Sequence, residues 1–232
     1  MEQHSLRVIA RVHSDFPTKF GIPRQSGLVD ALRARVVFEP EYRSPEAVRG
    51  LEEFSHIWLI WQFSQAVREG WSPTVRPPRL GGNRRLGVFA TRSPFRPNAL
   101  GLSVVGLERI ELDAGQGPVL HITGADLLDG TPIYDVKPYL PYADAHPEAQ
   151  GGFTDRTPRG RLEVRCPEAL LTRVPEEKRK ALLGVLAEDP RPSYQADPER
   201  VYGMAFAGVE VRFSVEGGIL RVREIFSQES IG

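Results

Sequence analysis

The residues with the most chemical potential in this chain are arginines. Between Gly70 and Leu107 there is no acidic residue, yet Arg76, Arg79, Arg84, Arg85, Arg92 and Arg96 all lie inside that stretch. Such a run makes a local positive patch suited to a phosphate or a carboxylate. Arg outnumbers Lys 26 to 4 in the chain, so an arginine run by itself reads as a solvated loop. The segment TRSPFRPNALGLS is different, because Arg92 and Arg96 sit among prolines, an asparagine and small residues just ahead of a long apolar strand. Rigid loops at a strand rim are places where ligands are held. Two further loops stand out: FGIPRQSGL, with Arg24 and Gln25, and the turn Asp129-Gly130-Thr131-Pro132 between two apolar runs. By composition each of these is only a loop or a turn.

Several chemistries are excluded. The chain has no G-x-G-x-x-G after a strand, no Walker A loop, no H-E-x-x-H and no G-x-S-x-G. The five histidines are scattered and the single cysteine, Cys166, rules out multi-cysteine metal sites, so no metal is expected. Thirty acidic residues balance thirty basic ones, so any nucleic-acid footprint has to be local. One cysteine and the lack of an apolar leader or spanning run point to a cytoplasmic protein with no membrane association.

The elements that must position these loops are mostly strands. Apolar residues recur with period two over Leu6 to Val12, Ala34 to Phe38, His56 to Phe63, Leu86 to Thr91, Leu100 to Leu112, Val119 to Gly124 and Ile133 to Lys137. This spacing predicts a mainly β barrel or sandwich over residues 1–145. SPEAVRGLEEF, with Ser44 as N-cap and Pro45 at the first helical position, predicts a short helix. Trp58, Trp61 and Phe63 read as core residues, and Asp126 as a turn former. Tyr134, Tyr139 and Tyr142, in a proline-rich stretch, are better placed for contact with a base. Residues 146–160 are Gly-, Pro- and Asp-rich and read as a linker. Residues 161–232 then form a small α+β unit, with an amphipathic helix over Pro175 to Glu188 and a three-strand meander at 201–206, 209–215 and 219–226.

Four segments in order carry a family resemblance: Phe20 to Gly27, Glu52 to Phe63, Arg76 to Ser103, and Asp129 to Asp144 (DGTPIYDVKPYLPYAD). They resemble the TsaA-like, or TrmO, family, and DPRPSY at Asp189 to Tyr194 is similar to the motif of its C-terminal domain. The resemblance implies an S-adenosylmethionine-dependent methyltransferase that acts on N6 of N6-threonylcarbamoyladenosine next to the anticodon of tRNA. It also implies a single-sheeted β-barrel and a homodimer with the cofactor near its interface. Cofactor contacts then fall on Pro23, Arg24, Gln25, Ser64, Gln65, Arg92, Leu102, Asp129, Gly130, Thr131 and Pro132. Contacts to tRNA fall on Arg84, Arg85, Arg96, Asp189, Arg191 and Tyr194. At one position the chain departs from the pattern: Ser64 stands where the family commonly has histidine. A serine hydroxyl there can hydrogen-bond a cofactor but has no proton affinity near neutral pH. The alternative reading from another functional class is a noncatalytic RNA-binding barrel derived from the same family.

Overall fold

The computed structural model describes residues 4–67, 69–80, 84–112, 115–157, 160–192 and 197–227. Its first part carries β1 (Ala10–His13), β2 (Arg33–Phe38), β3 (His56–Gln62), β4 (Thr74–Val75), β5 (Leu86–Gly87), β6 (Leu100–Glu111), β7 (Val119–Thr123) and β8 (Pro132–Pro138). Six of these close into a barrel in the order β1-β2-β7-β6-β3-β8, with every neighbouring pair antiparallel. The protein is therefore mainly β, with a barrel rather than a sandwich. Closure follows from the period-two pattern, since alternate residues of each strand point inward. Val12, Val36, Ile57, Leu59, Trp61, Val105, Leu120, Ile122 and Ile133 fill the interior. Gly101 pairs with Trp61 across β3 and β6, and a Cβ at Gly101 would collide with the indole ring, so glycine makes room for tryptophan.

A short helix α1 (Pro141–Asp144) precedes β9 (Glu163–Arg165), α2 (Glu168–Leu171), α3 (Glu176–Ala187), β10 (Tyr202–Phe206), β11 (Val209–Glu216) and β12 (Ile219–Ser227). The last four strands make a sheet in the order β10-β11-β12-β9, with β9 parallel to β12. Helix α3 buries Ala181, Leu182, Val185 and Leu186, one face at helical spacing.

Three expectations need correction. Residues 44–54 form two 3₁₀ turns, Pro45–Val48 and Leu51–Glu53, instead of a helix. Gly50 between them lies at φ +83°, which breaks any continuous ladder, and the Ser44 side chain caps nothing. The run Leu86 to Thr91 is a strand only at Leu86–Gly87 and then turns through Val88–Ala90, closed by the Thr91 hydroxyl donating to the Val88 carbonyl at 2.9 Å. The first strand begins at Ala10, and Leu6 is exposed.

The core of the C-terminal sheet is not built from C-terminal residues alone. Phe16, Val29 and Leu32, from the segment joining β1 to β2, are buried in it with Leu182, Leu186, Met204, Phe206 and Phe213. The rings of Phe16 and Phe206 meet edge-to-face at 5.3 Å. Lys178 Nζ of α3 bonds Oδ2 of Asp15, the residue before Phe16, at 2.7 Å.

Candidate cofactor and nucleotide site

Strand registers gather the three conspicuous loops at one end of the barrel. Gln62 at the end of β3 pairs with Leu100 at the start of β6, so Ser64, Gln65 and the arginine loop leave from the same rim. Ile133 at the start of β8 pairs with Trp61 and with Ala10, which brings the Asp129–Pro132 turn there too. Arg33, opening β2, pairs with Thr123, closing β7, and so the first loop, Ser14 to Leu32, completes the rim.

Within this rim the first loop and the arginine loop touch. Arg92 donates to the Gln25 side-chain oxygen, and the Gln25 amide donates to the carbonyl of Arg24. Arg24 is exposed and reaches the Arg191 carbonyl at 3.4 Å, joining the first loop to the C-terminal motif. Pro23 is buried beneath them and shapes the loop. Arg96 donates to the Thr91 carbonyl at 3.1 Å, stiffening the arginine loop. Arg84 and Arg85 are exposed on the excursion between β4 and β5, with Arg85 donating to the Thr74 hydroxyl at 3.3 Å. Ser64 and Gln65 are exposed at the end of β3, where the Gln65 carbonyl accepts from Lys19 Nζ at 3.0 Å. Leu102 turns its side chain out of the barrel and is 55% exposed.

The turn is ordered by the chain around it. Asp129 Oδ1 accepts the Ser14 N–H at 3.0 Å, and the Asp129 N–H donates to the Phe16 carbonyl at 2.9 Å. Gly130 takes φ +76°, a conformation that side chains rarely adopt, and its carbonyl accepts from Arg11 at 3.3 Å. The Thr131 hydroxyl is turned inward onto the Leu128 carbonyl at 2.7 Å, and Pro132 is buried, so these two contribute backbone and shape. Asp129 alone of the four presents a charged side chain to solvent.

In the C-terminal motif, Arg191 Nε and an Nη atom each bond one oxygen of Asp189 at 2.8 Å. That bidentate pair is largely shielded, and the carboxylate holds the guanidinium well charged. Tyr194 lies outside the described residues.

One group of the site escaped the reading from sequence. Asp126, expected to form a turn, is half-buried between the buried Ala125 and Leu127. Its Oδ1 accepts from Ser103 Oγ at 2.8 Å, and Ser103 Oγ accepts from Trp61 Nε1 at 3.0 Å. Burial pushes the Asp126 carboxyl above the usual carboxylate range, against the pull of Ser103, of the N–H groups of Asp126 and Ser26, and of the Arg92 charge. The signal available in the sequence was a lone acid inside the apolar run Ala125 to Leu128. Trp58 also differs from expectation: it lies on the outer face of β3, where its indole donates to Asp144 Oδ2 at 2.9 Å and its ring packs against Tyr139. Tyr134 is in β8 and bonds the Gln62 side chain at 2.6 Å, while Tyr142 is 87% exposed. His56 is exposed and bonds Ser55. Burial raises the Cys166 thiol pKa, in keeping with an unreactive side chain. Among the described residues no cluster of three or more His, Cys, Asp or Glu is placed to hold a metal ion, and no helix is long and apolar enough to cross a membrane.

Residues 11–145 match the tRNA-methyltransferase O N-terminal domain, and residues 160–228 match the TrmO C-terminal domain. The chain belongs to the TrmO family. A tRNA (adenine(37)-N6)-methyltransferase of Eikenella corrodens is 50% identical over 177 residues, covering 76% of this chain and 99% of that protein. A Pseudomonas aeruginosa protein described as a candidate S-adenosylmethionine-dependent methyltransferase is 44% identical over 218 residues, covering 90% and 92%. The crystal structure of TrmO from P. aeruginosa superposes with a TM-score of 0.79 at 36% identity, covering 98% of each chain. All three loops of the rim lie within the stretch matched to the TrmO N-terminal domain, and Asp189 and Arg191 lie within the TrmO C-terminal match.

Proposed function

We propose that this protein is an S-adenosylmethionine-dependent methyltransferase that methylates N6 of N6-threonylcarbamoyladenosine beside the anticodon of tRNA. The observation that carries this reading is the convergence of Arg24, Gln25, Arg92 and Asp129 at one barrel rim in a chain of the TrmO family. The residues present fit the cofactor. Arg24 and Arg92 offer guanidinium groups to a carboxylate, Asp129 offers an exposed carboxylate to an ammonium or a ribose diol, and Leu102 offers an exposed apolar surface to a base. Ser64 and Gln65 supply hydrogen bonds at the edge. Bound S-adenosylmethionine supplies an activated methyl group on a sulfonium.

The protein's task is then to hold the nucleophile in line at about 3 to 3.5 Å and to keep water out. Arg92 is fixed by Gln25, so its charge is oriented before substrate arrives. Arg84, Arg85 and Arg96, with Asp189, Arg191 and Tyr194, hold the anticodon arm through phosphates and splayed bases. Because Arg191 is already committed to Asp189, its contribution is a neutral paired edge unless tRNA draws it away.

The working assembly is a homodimer with the cofactor near its interface. Support comes from Trp71, Phe89, Leu100 and Leu102, which are 37–71% exposed on the excursion beyond β3 and at the start of β6. The chain divides into a cofactor-binding barrel over 1–145, a linker over 146–160 and a tRNA-contacting unit over 161–232, and it acts in the cytoplasm, where its substrate is. Purified protein with S-adenosylmethionine and tRNA, with or without the threonylcarbamoyl group, tests the reading by nucleoside analysis. Methyl should appear on N6 of threonylcarbamoyladenosine only. Methylation of tRNA lacking that group refutes the substrate, and tight tRNA binding without cofactor binding points to the noncatalytic barrel.

A further inference from the structure

We propose that Asp126 accepts the proton of the N6–H during methylation, an inference that rests on the reaction proposed above. In threonylcarbamoyladenosine the ureido carbonyl withdraws the N6 lone pair and acidifies the N–H, so the reaction gains from a base. Ser64 cannot serve as one, and Asp129 is the carboxylate assigned above to hold the cofactor.

Asp126 is placed where the three loops meet. It lies three residues beyond Thr123, the last residue of β7, and its position is defined by contacts: β6 presents Ser103 to Oδ1, β3 supports that hydroxyl through Trp61, the first loop directs the Ser26 N–H at the carboxyl, and the arginine loop brings Arg92. Arg92 is the charged group facing it. The bonds made by Ser103 and Trp61 run inward, fixing one oxygen from the barrel side. Partial burial favours the neutral acid and so raises the proton affinity of the ionised form toward the working pH, where a general base is most effective. In the step itself the N6–H pair becomes the nucleophile as the proton passes to Asp126. The N6–CH₃ bond forms, the S–CH₃ bond breaks with its electron pair left on sulfur, and the products are a neutral thioether and a protonated Asp126.

The test is Asp126→Asn, which keeps the shape and the acceptor for Ser103. Wild-type single-turnover methylation of threonylcarbamoylated tRNA should rise with pH through one ionisation to a plateau. In Asp126→Asn the rate should fall on the order of 10²- to 10⁴-fold and lose that acid limb, with cofactor affinity by calorimetry within threefold of wild type. Carbon-13 titration of labelled aspartate should show a carboxyl titrating above the usual range in wild type that is missing from the variant. Ser103→Ala provides the second arm: without the Ser103 O–H the acid limb should move to higher pH with its plateau retained, since that hydrogen bond favours the ionised form. An acid limb unchanged in both variants, or lost instead in His13→Gln, which removes the imidazole 3.7 Å from Asp129 Oδ1, overturns the assignment. Loss of rate and cofactor affinity in parallel in Asp126→Asn overturns it as well, leaving Asp126 a structural tie. Failure of the wild-type protein to methylate threonylcarbamoylated tRNA refutes the underlying reaction and is read separately.

Discussion

Gly184 lies in α3 against the loop that carries Arg24 and Gln25, and replacing it by alanine sets two effects of known size against each other. A Cβ at Gly184 would stand 2.6 Å from Val29 Cγ1 and 3.7 Å from Val29 Cβ and Cγ2. Carbon atoms in contact prefer about 3.5 to 4.0 Å, so helix and loop must part by about 1 Å. Alanine in a helix interior gains about 1 kcal/mol over glycine, whereas overpacking a core costs about 1 to 3 kcal/mol. Gly184→Ala should therefore destabilise by about 0 to 2 kcal/mol. Val29→Ala alone removes two buried methyl groups and should cost about 1 to 3 kcal/mol. In the double variant the clash is gone and the helix gain remains, so it should be more stable than the sum of the singles by about 1 to 3 kcal/mol. Urea unfolding of the four proteins measures this coupling, and calorimetry should show weaker cofactor binding for Gly184→Ala as the first loop is pushed out. If Gly184→Ala stabilises by about 1 kcal/mol whichever residue occupies position 29, helix and loop are not in contact as described.

Arg92→Ala should abolish methylation with little change in thermal stability, because the side chain is exposed and its partner, Gln25, is at the surface. It should also raise the Asp126 carboxyl further, since the lost charge favoured ionisation, and carbon-13 titration reads that directly. Asp129→Ala should weaken cofactor binding and cost about 1 kcal/mol of stability, the usual worth of a hydrogen bond such as the one from the Ser14 N–H, as measured by calorimetry and urea unfolding. The Asp144 carboxyl is held below its ordinary value of 3.8 by the Leu140 N–H first and the Trp58 indole second. Its contribution is complete above that ordinary value and is lost as pH falls through the lower folded one. Trp58 emission should shift over that acid range in wild type and not in Asp144→Ala.

Strands were legible in the sequence because one face of each is buried, and a period of two survives in Val36 and Phe38 or in Ile57, Leu59 and Trp61. Failures came where local signals met a competing constraint. Ser44 and Pro45 announce a helix that Gly50 interrupts, and the apolar run at Leu86 to Thr91 turns after two residues with Phe89 left 71% exposed. The cofactor roles of 24, 92 and 129 came from family resemblance, and nothing in composition says that these residues converge with 126. That convergence depends on barrel register. Asp126 shows the limit most clearly: an acid beside a turn looks the same in sequence whether it faces water or Ser103. The burial of Phe16 and Val29 among residues beyond 174 was equally out of reach, since periodicity is a local property and this packing is not.

That shared core bears on the order in which the protein becomes competent during its synthesis. Every strand of the barrel has been made once residue 138 is complete, so the barrel can close while the rest of the chain is still being added. The first loop cannot settle then, because the partners of Phe16, Val29 and Leu32 lie between Val174 and Ile225. At roughly 5 to 20 residues per second, the wait from β8 to β12 is on the order of 5 to 20 seconds. Throughout it, a nascent chain holds every barrel strand while its first loop still lacks core partners. A chain truncated before β12 carries the whole barrel sequence yet lacks part of the core that packs against the loop holding Arg24 and Gln25.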